Sequence, residues 1–457
     1  MPALRTCRRH RQTTRAVAHQ QTRNPRGGLG CRQARRRQDM RPSDLADTGD
    51  RGSHELFLSE ALVPDEPSIP SPPDIDRGTG KAVMLGTHRV VTANATWRRA
   101  RDVFSIVGIS RVGDLTMLDE IGIPVWQAVR PNAATLSVSQ GKGISHDLAR
   151  VSAAMEAIEL WHAEQARAPH VVDSITDLQP VLTYNVRTLH LAGGSLLTEA
   201  LEIPWIEGED VLTLSRTLVP LEYIVLNDEP SGDLSAPLFV QSSNGLASGN
   251  SVAEATLHGL LEVLERDLTA TVGRSSPSYV GQVDLDSIED GCSRVLVDLL
   301  LSADVHLRVT DCGTDGIACF SASIWSVDFP FVFDGFGCHF DRDVALARAL
   351  TEAAQSRLTA VAGARDDLPF SVYRDVQLPN SAHPPWPPAP VRSDVRFTDI
   401  ATTCRPGIED DVRAAASLIA ARTGQSPIVV DLTHPQVGIP VVRVVGPGLG
   451  MGRQRAA

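Results

Sequence analysis

An internal repeat is the feature that most constrains how this chain of 457 residues can fold. Residues 143–159 align with residues 249–265 at an offset of 106, and a glycine, a serine, an alanine and two glutamates coincide. Residues 345–355 form a fainter third copy, with Glu352-x-x-Gln355 where the other copies have Glu-x-x-Glu. Each copy is typical of a glycine-containing loop that leads through a capping residue into an amphipathic helix. We therefore expect internally repeated loop–helix units.

Both full copies carry a helix-start signal. Ser251-x-x-Glu254 is a capping box, in which the serine hydroxyl and the glutamate carboxylate each accept a hydrogen bond from a backbone N–H of the first turn. Ser145 is expected to cap the first copy without a reciprocal glutamate.

Helical geometry places the glutamates along one edge of each buried apolar stripe. The stripes are predicted to be Leu148, Val151, Met155 and Ile158 in the first helix and Leu257, Leu261, Leu264 and Leu268 in the second. The edge residues are Ser152, Glu156 and Glu159 in the first helix and Glu262 and Glu265 in the second. Like charges three residues apart repel by about 0.2–0.5 kcal/mol, and they lose solvation beside a core. A cation between the helices would make such pairs tolerable.

Carboxylate oxygens suit a hard cation such as Mg²⁺. One Glu-x-x-Glu pair would most simply be a solvated helix edge, whereas two pairs behind matching loops favour a shared site. Glu159-x-x-His162 has the spacing of di-iron carboxylate bundles, but the second helix has no matching histidine. The chain has neither a Walker loop nor a Rossmann fingerprint, so an ATP site here would be of another kind. Such a site would need several Mg²⁺ ions and cationic side chains to hold a triphosphate among carboxylates.

Strand-like runs alternate with long helical patterns, which favours an α/β or α+β body with mixed sheets. The runs lie at 124–129, 237–241, 305–310, 317–326, 331–335, 427–432 and 439–445, and the helical patterns at about 146–167, 252–271, 342–362 and 408–423.

Residues 1–80 are predicted to be a disordered extension, Arg-rich and then Pro- and Asp-rich, for which a misassigned start is one explanation. One catalytic domain is placed at 81–452, with a proline-rich surface excursion at 379–390.

Charge and cysteine usage exclude several classes of protein. The net charge is −12, and because residues 1–40 contribute +10 (11 Arg and Asp39), the remainder carries −22. A body this acidic repels a phosphate backbone, so nucleic acid is not an expected partner. No apolar run is long enough to span a membrane. Seven dispersed cysteines without C-x-x-C favour a reducing, cytoplasmic compartment over a disulfide framework.

Four motifs occur in order along the chain. They are Ser152-x-x-x-Glu156-x-x-Glu159, Asn244-Gly-Leu-Ala-x-Gly249 with Glu254-Ala255, Glu262-x-x-Glu265-Arg266, and Gln355-x-Arg357. Together they resemble the signature set of the YcaO superfamily over roughly residues 86–450. The stretches GTHRVV, SVSQGKG, MEAIELWHAE and SGNSVAEATLHGLLEVLERD are similar to YcaO proteins encoded beside a TfuA-type partner.

The resemblance implies a YcaO-like fold and an ATP- and Mg²⁺-dependent enzyme that phosphorylates a peptide-backbone amide oxygen after a nucleophile has added to the carbonyl carbon. A Cys, Ser or Thr side chain as nucleophile gives an azoline, and an external sulfide equivalent gives a thioamide. The implied Mg²⁺ ligands are Glu156, Glu159, Glu262 and Glu265, and the implied catalytic residues are Glu262, Glu265 and Arg357. The implied nucleotide contacts are Arg89, Thr96, Ser152, Ser242, Asn244, Arg266, Gln355 and Arg357.

The sequence also departs from the family pattern. Leu160 and Val361 stand where the family often has Arg and Glu, and Gln241 replaces a serine, for which Ser242 or Ser243 would substitute. Azoline-forming members tend to end in a proline-rich tail, whereas this chain ends PVVRVVGPGLGMGRQRAA. We therefore predict thioamide formation on a ribosomally made peptide or protein, with a TfuA-like partner. The resemblance also implies a homodimer. Azoline-forming cyclodehydration is the alternative, and a non-catalytic accessory role in ribosomal-protein methylthiolation is the second alternative.

Overall fold

The computed structural model describes residues 80–82, 85–165, 167–226, 236–270, 281–314, 316–365, 367–368, 373 and 395–451. Residues 1–79 of the predicted disordered extension and the predicted excursion at 379–390 lie outside these ranges. The domain limits at 80 and 452 stay predictions.

The described residues form helices and strands in alternation. The helices are α1 (Ala93–Asp102), α2 (Phe104–Val107), α3 (His146–Glu164), α4 (Ile175–Leu178), α5 (Leu221–Ile224), α6 (Val252–Thr269), α7 (Gly291–Ser302), α8 (Arg342–Ala362) and α9 (Ile408–Thr423). The strands are β1 (Arg111–Asp114), β2 (Val125–Val129), β3 (Val138–Lys142), β4 (Val171–Asp173), β5 (Ile203–Asp210), β6 (Arg216–Pro220), β7 (Leu246–Ser248), β8 (Val283–Asp284), β9 (His306–Asp311), β10 (Ala318–Trp325), β11 (Phe333–His339), β12 (Val395–Arg396), β13 (Ile428–Asp431) and β14 (Val441–Val445). The four predicted long helices are confirmed as α3, α6, α8 and α9.

Three antiparallel sheets carry the helices. The first has the order β1-β2-β3, and the second has the order β11-β10-β9. The third has the order β4-β5-β13-β14-β7, with β6 also paired to β5. The short strands β8 and β12 pair in parallel. No helix in the part of the chain described above is long and apolar enough to cross a membrane.

Three strand–loop–helix units repeat in the same register, one from each sheet: β3–α3, β7–α6 and β11–α8. Their N-cap residues are Ser145, Ser251 and Asp341. Eleven residues further along each helix (145 to 156, 251 to 262, 341 to 352) stands a glutamate. The third copy is therefore a full structural repeat that begins with aspartate instead of serine.

Glycines let the strands lie directly on the helices. A Cβ atom on Gly141 of β3 would lie 1.9 Å from the Ala153 nitrogen and 2.3 Å from the Ala149 oxygen of α3. A Cβ atom on Gly335 of β11 would lie 2.2 Å from backbone atoms of α8. The buried face of α3 is accordingly rich in alanine, because larger side chains would separate the backbones.

Two local predictions need correction. Leu148 and Val151 were predicted to lie in the buried stripe of the first helix, but they are half-buried and face a cavity, because glycine and alanine fill the contact with β3. The stripe of α6, from Leu257 to Leu268, is buried as predicted. Residues 237–241 do not form a strand, since only an isolated bridge joins Phe239 to Leu191.

The capping box is half confirmed. The Ser251 hydroxyl accepts from the Glu254 N–H at 3.1 Å, and Ser145 caps α3 in the same way by accepting from the Leu148 N–H. The Glu254 carboxylate, however, accepts from the Asn250 and Val90 N–H groups instead of returning to Ser251. This glutamate therefore joins the start of α6 to the segment that precedes α1.

Candidate nucleotide and magnesium site

A cavity of about 500 Å³ opens where α3, α6 and α8 converge. Each helix contributes acidic side chains to its wall at repeat-related positions, namely Glu156 and Glu159, Glu262 and Glu265, and Glu352, and Glu254 in the first turn of α6 also lines it. Basic side chains line the same cavity, namely Arg89, Lys142, Arg266, Arg348 and Arg365. The four glutamates predicted as Mg²⁺ ligands are thus gathered in one place, together with a fifth from the third repeat.

Equivalent positions of the three helices carry side chains of different chemical type. Ser152, His258 and Arg348 stand four residues before Glu156, Glu262 and Glu352, respectively, and all three line the cavity. A hydroxyl, an imidazole and a guanidinium therefore face the carboxylates from the three helices. The Arg348 Nη1 and His258 Nε2 atoms lie 3.5 Å apart, and burial holds the pKa of His258 well below its usual range. This imidazole is consequently neutral.

Burial and mutual repulsion make the glutamates hard to ionise. Burial raises the pKa of Glu159 to about 8, and the charges of Glu156 and Glu262 add to the rise. Burial likewise raises the pKa of Glu156 and of Glu265 to about 7, and it raises the pKa of Glu262. Carboxylates placed together in this way favour a multivalent cation that would remove the repulsion.

Two observations show that the residues fit Mg²⁺. The Oε2 atom of Glu265 is buried and has no hydrogen-bond partner among the described residues, so it is available as an oxygen ligand for a cation. The Oε1 atom of Glu159 accepts from both the N–H and the hydroxyl of Ser248, at 2.9 and 2.6 Å, which fixes the carboxylate and joins α3 to β7. Ligands held in place by neighbouring hydrogen bonds are a regular property of metal sites.

The fifth glutamate is paired with a lysine. Lys142, the last residue of β3, lies 2.6 Å from a carboxylate oxygen of Glu352. Burial works against ionisation of Glu352, yet the charge and hydrogen bond of Lys142 hold its pKa below its usual range. Arg266 lies 3.7 Å from Glu262 across one turn of α6. Basic side chains therefore lie next to the acidic ones on the cavity wall, and a bound magnesium–triphosphate requires both.

The segment before α1 and the first turn of α1 close one side of the cavity. Arg89 lines it, with its Nε atom 3.6 Å from Glu254, and Thr96 lines it while donating a hydrogen bond to Asn250 at 2.8 Å. Ser152, Arg266 and Gln355 also line the cavity as expected. The Gln355 amide donates to the Gln140 carbonyl at 3.1 Å.

Three predicted contacts do not line this cavity. Arg357 is 4% exposed and binds Asp119, Ser326 and Asp328 through 2.7–3.2 Å hydrogen bonds. Residues two apart on a helix point to opposite sides, so Gln355 faces the cavity and Arg357 faces away. Its predicted catalytic and nucleotide-binding roles are not supported by this placement.

Ser242 and Asn244 likewise lie outside the lining, although Ser243 between them is part of it. The Ser242 hydroxyl accepts from the Asn244 N–H at 3.3 Å, and its carbonyl accepts from Arg443. Of the two serines that would substitute for the one replaced by Gln241, the loop before β7 therefore presents Ser243 to the cavity.

Sequence reasoning missed several residues of the site. Lys142 stands in SVSQGKG, and Glu352 in the third repeat, so both lay in motifs that had been singled out. Extending the repeat by equal helix positions would have found Glu352, Arg348 and His258. Arg365 follows α8 in an irregular segment, and nothing in the pattern points to it.

Comparisons with known proteins agree with this geometry. The family described as YcaO cyclodehydratase, ATP- and Mg²⁺-binding, matches residues 140–450. An uncharacterized protein of Mycobacterium tuberculosis is 37% identical over 380 residues, which cover 80% of this chain and 83% of the relative. A protein of Rhizobium leguminosarum bv. trifolii, named for its position in the tfuA 3′ region, is 37% identical over 377 residues, which cover 79% and 88%.

Solved structures share the fold. The structure of a YcaO protein from Methanopyrus kandleri bound with AMPPCP and Mg²⁺ has a TM-score of 0.61 and 24% identity, and the match covers 83% of this chain and 99% of that one. A heterocyclase in complex with substrate and cofactor has a TM-score of 0.67 and 22% identity, covering 80% of this chain and 53% of that one. The predicted α/β fold with repeated loop–helix units is confirmed.

Proposed function

Because this chain belongs to the YcaO family, an ATP- and Mg²⁺-binding family, we propose that it is an ATP-dependent enzyme that modifies the backbone amide of a ribosomally made peptide or protein. One observation carries the proposal: three helices in the same register bring five glutamates at repeat-related positions to one cavity, and five basic side chains from these helices and from neighbouring segments line the same cavity. Amide activation needs that arrangement, because an amide oxygen is a poor leaving group until it is phosphorylated.

Acidic and basic side chains of the cavity would have different roles, the first in binding metal and the second in binding phosphate. Glu156, Glu159, Glu262 and Glu265 would hold Mg²⁺, which supplies charge neutralisation and alignment of the triphosphate when bound. The basic side chains would neutralise the phosphate charge that the metal leaves uncovered. Lys142 and Arg348 are placed for this, since each already interacts with a side chain on the cavity wall. Catalysis would then rest on positioning and electrostatic stabilisation.

The described part of the chain offers no thiol nucleophile to this cavity. Within the described residues, no cysteine is part of the lining. The nucleophile would therefore be either a side chain of the substrate peptide or an external sulfide equivalent. The first route gives an azoline by loss of water, and the second replaces the amide oxygen by sulfur.

We favour the thioamide product and a TfuA-type partner. The support is the relative named for the tfuA 3′ region, which is 37% identical over 88% of its own length. Azoline formation remains the second candidate, since the matching family carries the word cyclodehydratase in its description. An accessory role without catalysis is the third. The homodimer and the cytoplasmic location stay predictions.

The first experiment tests the nucleotide site. The melting temperature of the full chain is recorded with Mg²⁺, with ATP and with both, for the wild type and for Glu262→Gln/Glu265→Gln. Ligand at 100 times its Kd stabilises the folded state by about 2.7 kcal/mol. We expect a shift that requires Mg²⁺ and ATP together and disappears in the variant. No shift at saturating ligand in a folded sample would contradict the proposal.

The second experiment identifies the reaction. The chain, a TfuA-type partner, Mg²⁺·ATP and a sulfide source are incubated with candidate peptides, and the products are weighed by mass spectrometry. A gain equal to the sulfur–oxygen mass difference indicates a thioamide, and loss of one water indicates an azoline. ATP binding without peptide-dependent turnover would favour the accessory role.

A further inference from the structure

A second group of potential ligands lies outside the nucleotide cavity. His88, Asp341 and Cys404 each offer one ligand atom, and these atoms all lie within 4.8 Å of one another. The three residues come from the segment before α1, the N-cap of α8 and the loop before α9, and none of them lines the cavity. This His–Asp–Cys cluster therefore joins three distant parts of the sequence.

His88 is the unusual member of the cluster. It is 3% exposed, and neither of its ring nitrogens has a hydrogen-bond partner among the described residues. Its Nε2 atom lies 3.7 Å from the Oδ2 atom of Asp341, which is too long for a hydrogen bond. Two ligands of a tetrahedral zinc ion, bound at about 2.0–2.2 Å, are separated by about 3.3–3.6 Å. The observed separation is close to that of two atoms that share a metal.

The carboxylate of Asp341 is fixed with one oxygen available. Its Oδ1 atom accepts from the Asp343 N–H at 2.9 Å as the cap of α8, and its own N–H donates to the Nδ1 atom of His339 at 2.9 Å. The ring of His339 packs edge-on against that of His88, with centroids 4.6 Å apart. These contacts hold Oδ2 toward the imidazole of His88.

We propose that His88, Asp341 and Cys404 bind a zinc ion. A nitrogen, a carboxylate oxygen and a thiolate form a ligand set that suits Zn²⁺ and not Mg²⁺ or Ca²⁺, which prefer oxygen alone. The Cys404 thiol loses its proton to solvent as the metal binds. Three protein ligands leave the fourth position to water.

The surrounding charges are compatible with a cation. Lys81 lies near Cys404 and His339, and its ammonium group is 2.7 Å from the carboxylate of Asp411, which balances its charge. Arg405, one residue after Cys404, lies 3.5 Å from the same carboxylate. The cluster itself carries Asp341 and the thiolate, so a bound Zn²⁺ would be neutralised by its own ligands.

The position of the cluster gives the metal a role. Thr87 and Arg89 flank His88 and line the nucleotide cavity. A zinc ion on His88 would tie this segment to the start of α8, which carries Glu352 and Arg348. The metal would thus act on the arrangement of the cavity wall without touching what the cavity binds.

Cobalt substitution tests the proposal directly. The reduced, chelator-treated full chain is titrated with Co²⁺, and its absorption spectrum is recorded. We expect a near-ultraviolet thiolate-to-cobalt band and visible bands of tetrahedral Co²⁺, both removed by Zn²⁺. The glutamates of the nucleotide cavity would bind Co²⁺ through oxygen alone, so they give no thiolate band.

Variants assign the ligands. Cys404→Ser should lose the thiolate band and His88→Gln the tetrahedral bands. Each should weaken Zn²⁺ binding by more than about 100-fold, the largest effect expected when only a residue that hydrogen-bonds to a ligand is changed. Cys312→Ser, which alters a half-buried thiol outside the cluster, is the matched control and should keep these bands. The wild type itself gives an independent readout, because Zn²⁺ should protect Cys404 from alkylation, as mapped by peptide mass spectrometry.

Two results would overturn the assignment. One is a folded wild type without a thiolate band at saturating Co²⁺ and with Cys404 equally alkylated in the presence and absence of Zn²⁺. The other is a thiolate band that survives in Cys404→Ser.

Discussion

Replacing a single atom in the nucleotide cavity should remove part of the pH dependence of the protein's stability. Glu159→Gln replaces a carboxylate oxygen by an amide nitrogen, and its remaining oxygen can still accept both hydrogen bonds from Ser248. The substitution therefore removes the charge while keeping the contacts. We expect it to stabilise the protein in the absence of metal and nucleotide, although it removes a proposed ligand.

The magnitude follows from the pKa of this group. Its value of about 8 in the folded chain compares with 4.5 for a glutamate in its ordinary state. At about 1.36 kcal/mol per pH unit, this difference corresponds to at most about 5 kcal/mol. Water entering the open cavity screens part of it, so we expect about 2–3 kcal/mol.

Proton binding determines whether stability rises or falls with pH. The folded chain retains the Glu159 proton up to about pH 8, whereas the unfolded chain releases it near 4.5. Glu159 therefore lowers the free energy of unfolding of the wild type progressively as the pH rises from about 4.5 to about 8. The variant avoids this loss, so its advantage is small at about pH 5 and greatest at about pH 9.

Urea unfolding in the presence of EDTA measures the effect at both pH values. The exposed Glu202→Gln is the matched control and should give no such difference. Adding Mg²⁺·ATP should reverse the order, since only the wild type keeps all four proposed ligands. A variant that is less stable than the wild type by the same amount at both pH values would refute the electrostatic account.

Three further substitutions probe other parts of the structure. Gly141→Ala should destabilise the fold by at least about 1–3 kcal/mol in thermal or urea unfolding, because its Cβ would overlap backbone atoms of α3, whereas Gly193→Ala, with open space around it, should be neutral. Arg357→Met should lower the free energy of unfolding by about 3–5 kcal/mol, because it leaves Asp119 buried and unpaired, while the Kd for Mg²⁺·ATP measured by calorimetry on the folded fraction stays the same. A large loss of affinity would show that Arg357 reaches the nucleotide after all. Lys142→Met should weaken Mg²⁺·ATP binding by roughly tenfold, about 1.4 kcal/mol, in the same calorimetric assay, and unchanged affinity would remove Lys142 from the site.

The long helices could be predicted because their apolar period and caps act locally. Helix α6 begins after Ser251 and α8 after Asp341, and both run over the predicted ranges to within two residues. The sequence does not predict the strand β3 (VSQGK), since Val138 is its only β-branched residue and it has no aromatic residue. Gly141 of this strand is required because α3 packs directly against it, and such a tertiary contact leaves no local pattern in the sequence.

The site could be predicted where helix position alone decides it. The glutamates of α3 and α6 face one cavity because their spacing places them on one edge of each helix. The motif Gln355-x-Arg357 does not record on which side of the helix each residue stands, so it could not predict that Arg357 faces away from the cavity. The roles predicted for Arg357 stay predictions. Lys142 and Arg365 could not be found from periodicity, because strand ends and irregular segments carry no period that assigns a direction to a side chain.

The identical register of the three strand–loop–helix units has a consequence for folding. Glu156, Glu262 and Glu352 are separated by about a hundred residues along the chain, yet they meet only after all three units have docked. Contacts between segments so far apart form late, because the loops that close them lose the most entropy. A growing or truncated chain would bury its individual helices before it could gather the carboxylates. The ability to bind nucleotide is thus an all-or-none property that marks the completed fold.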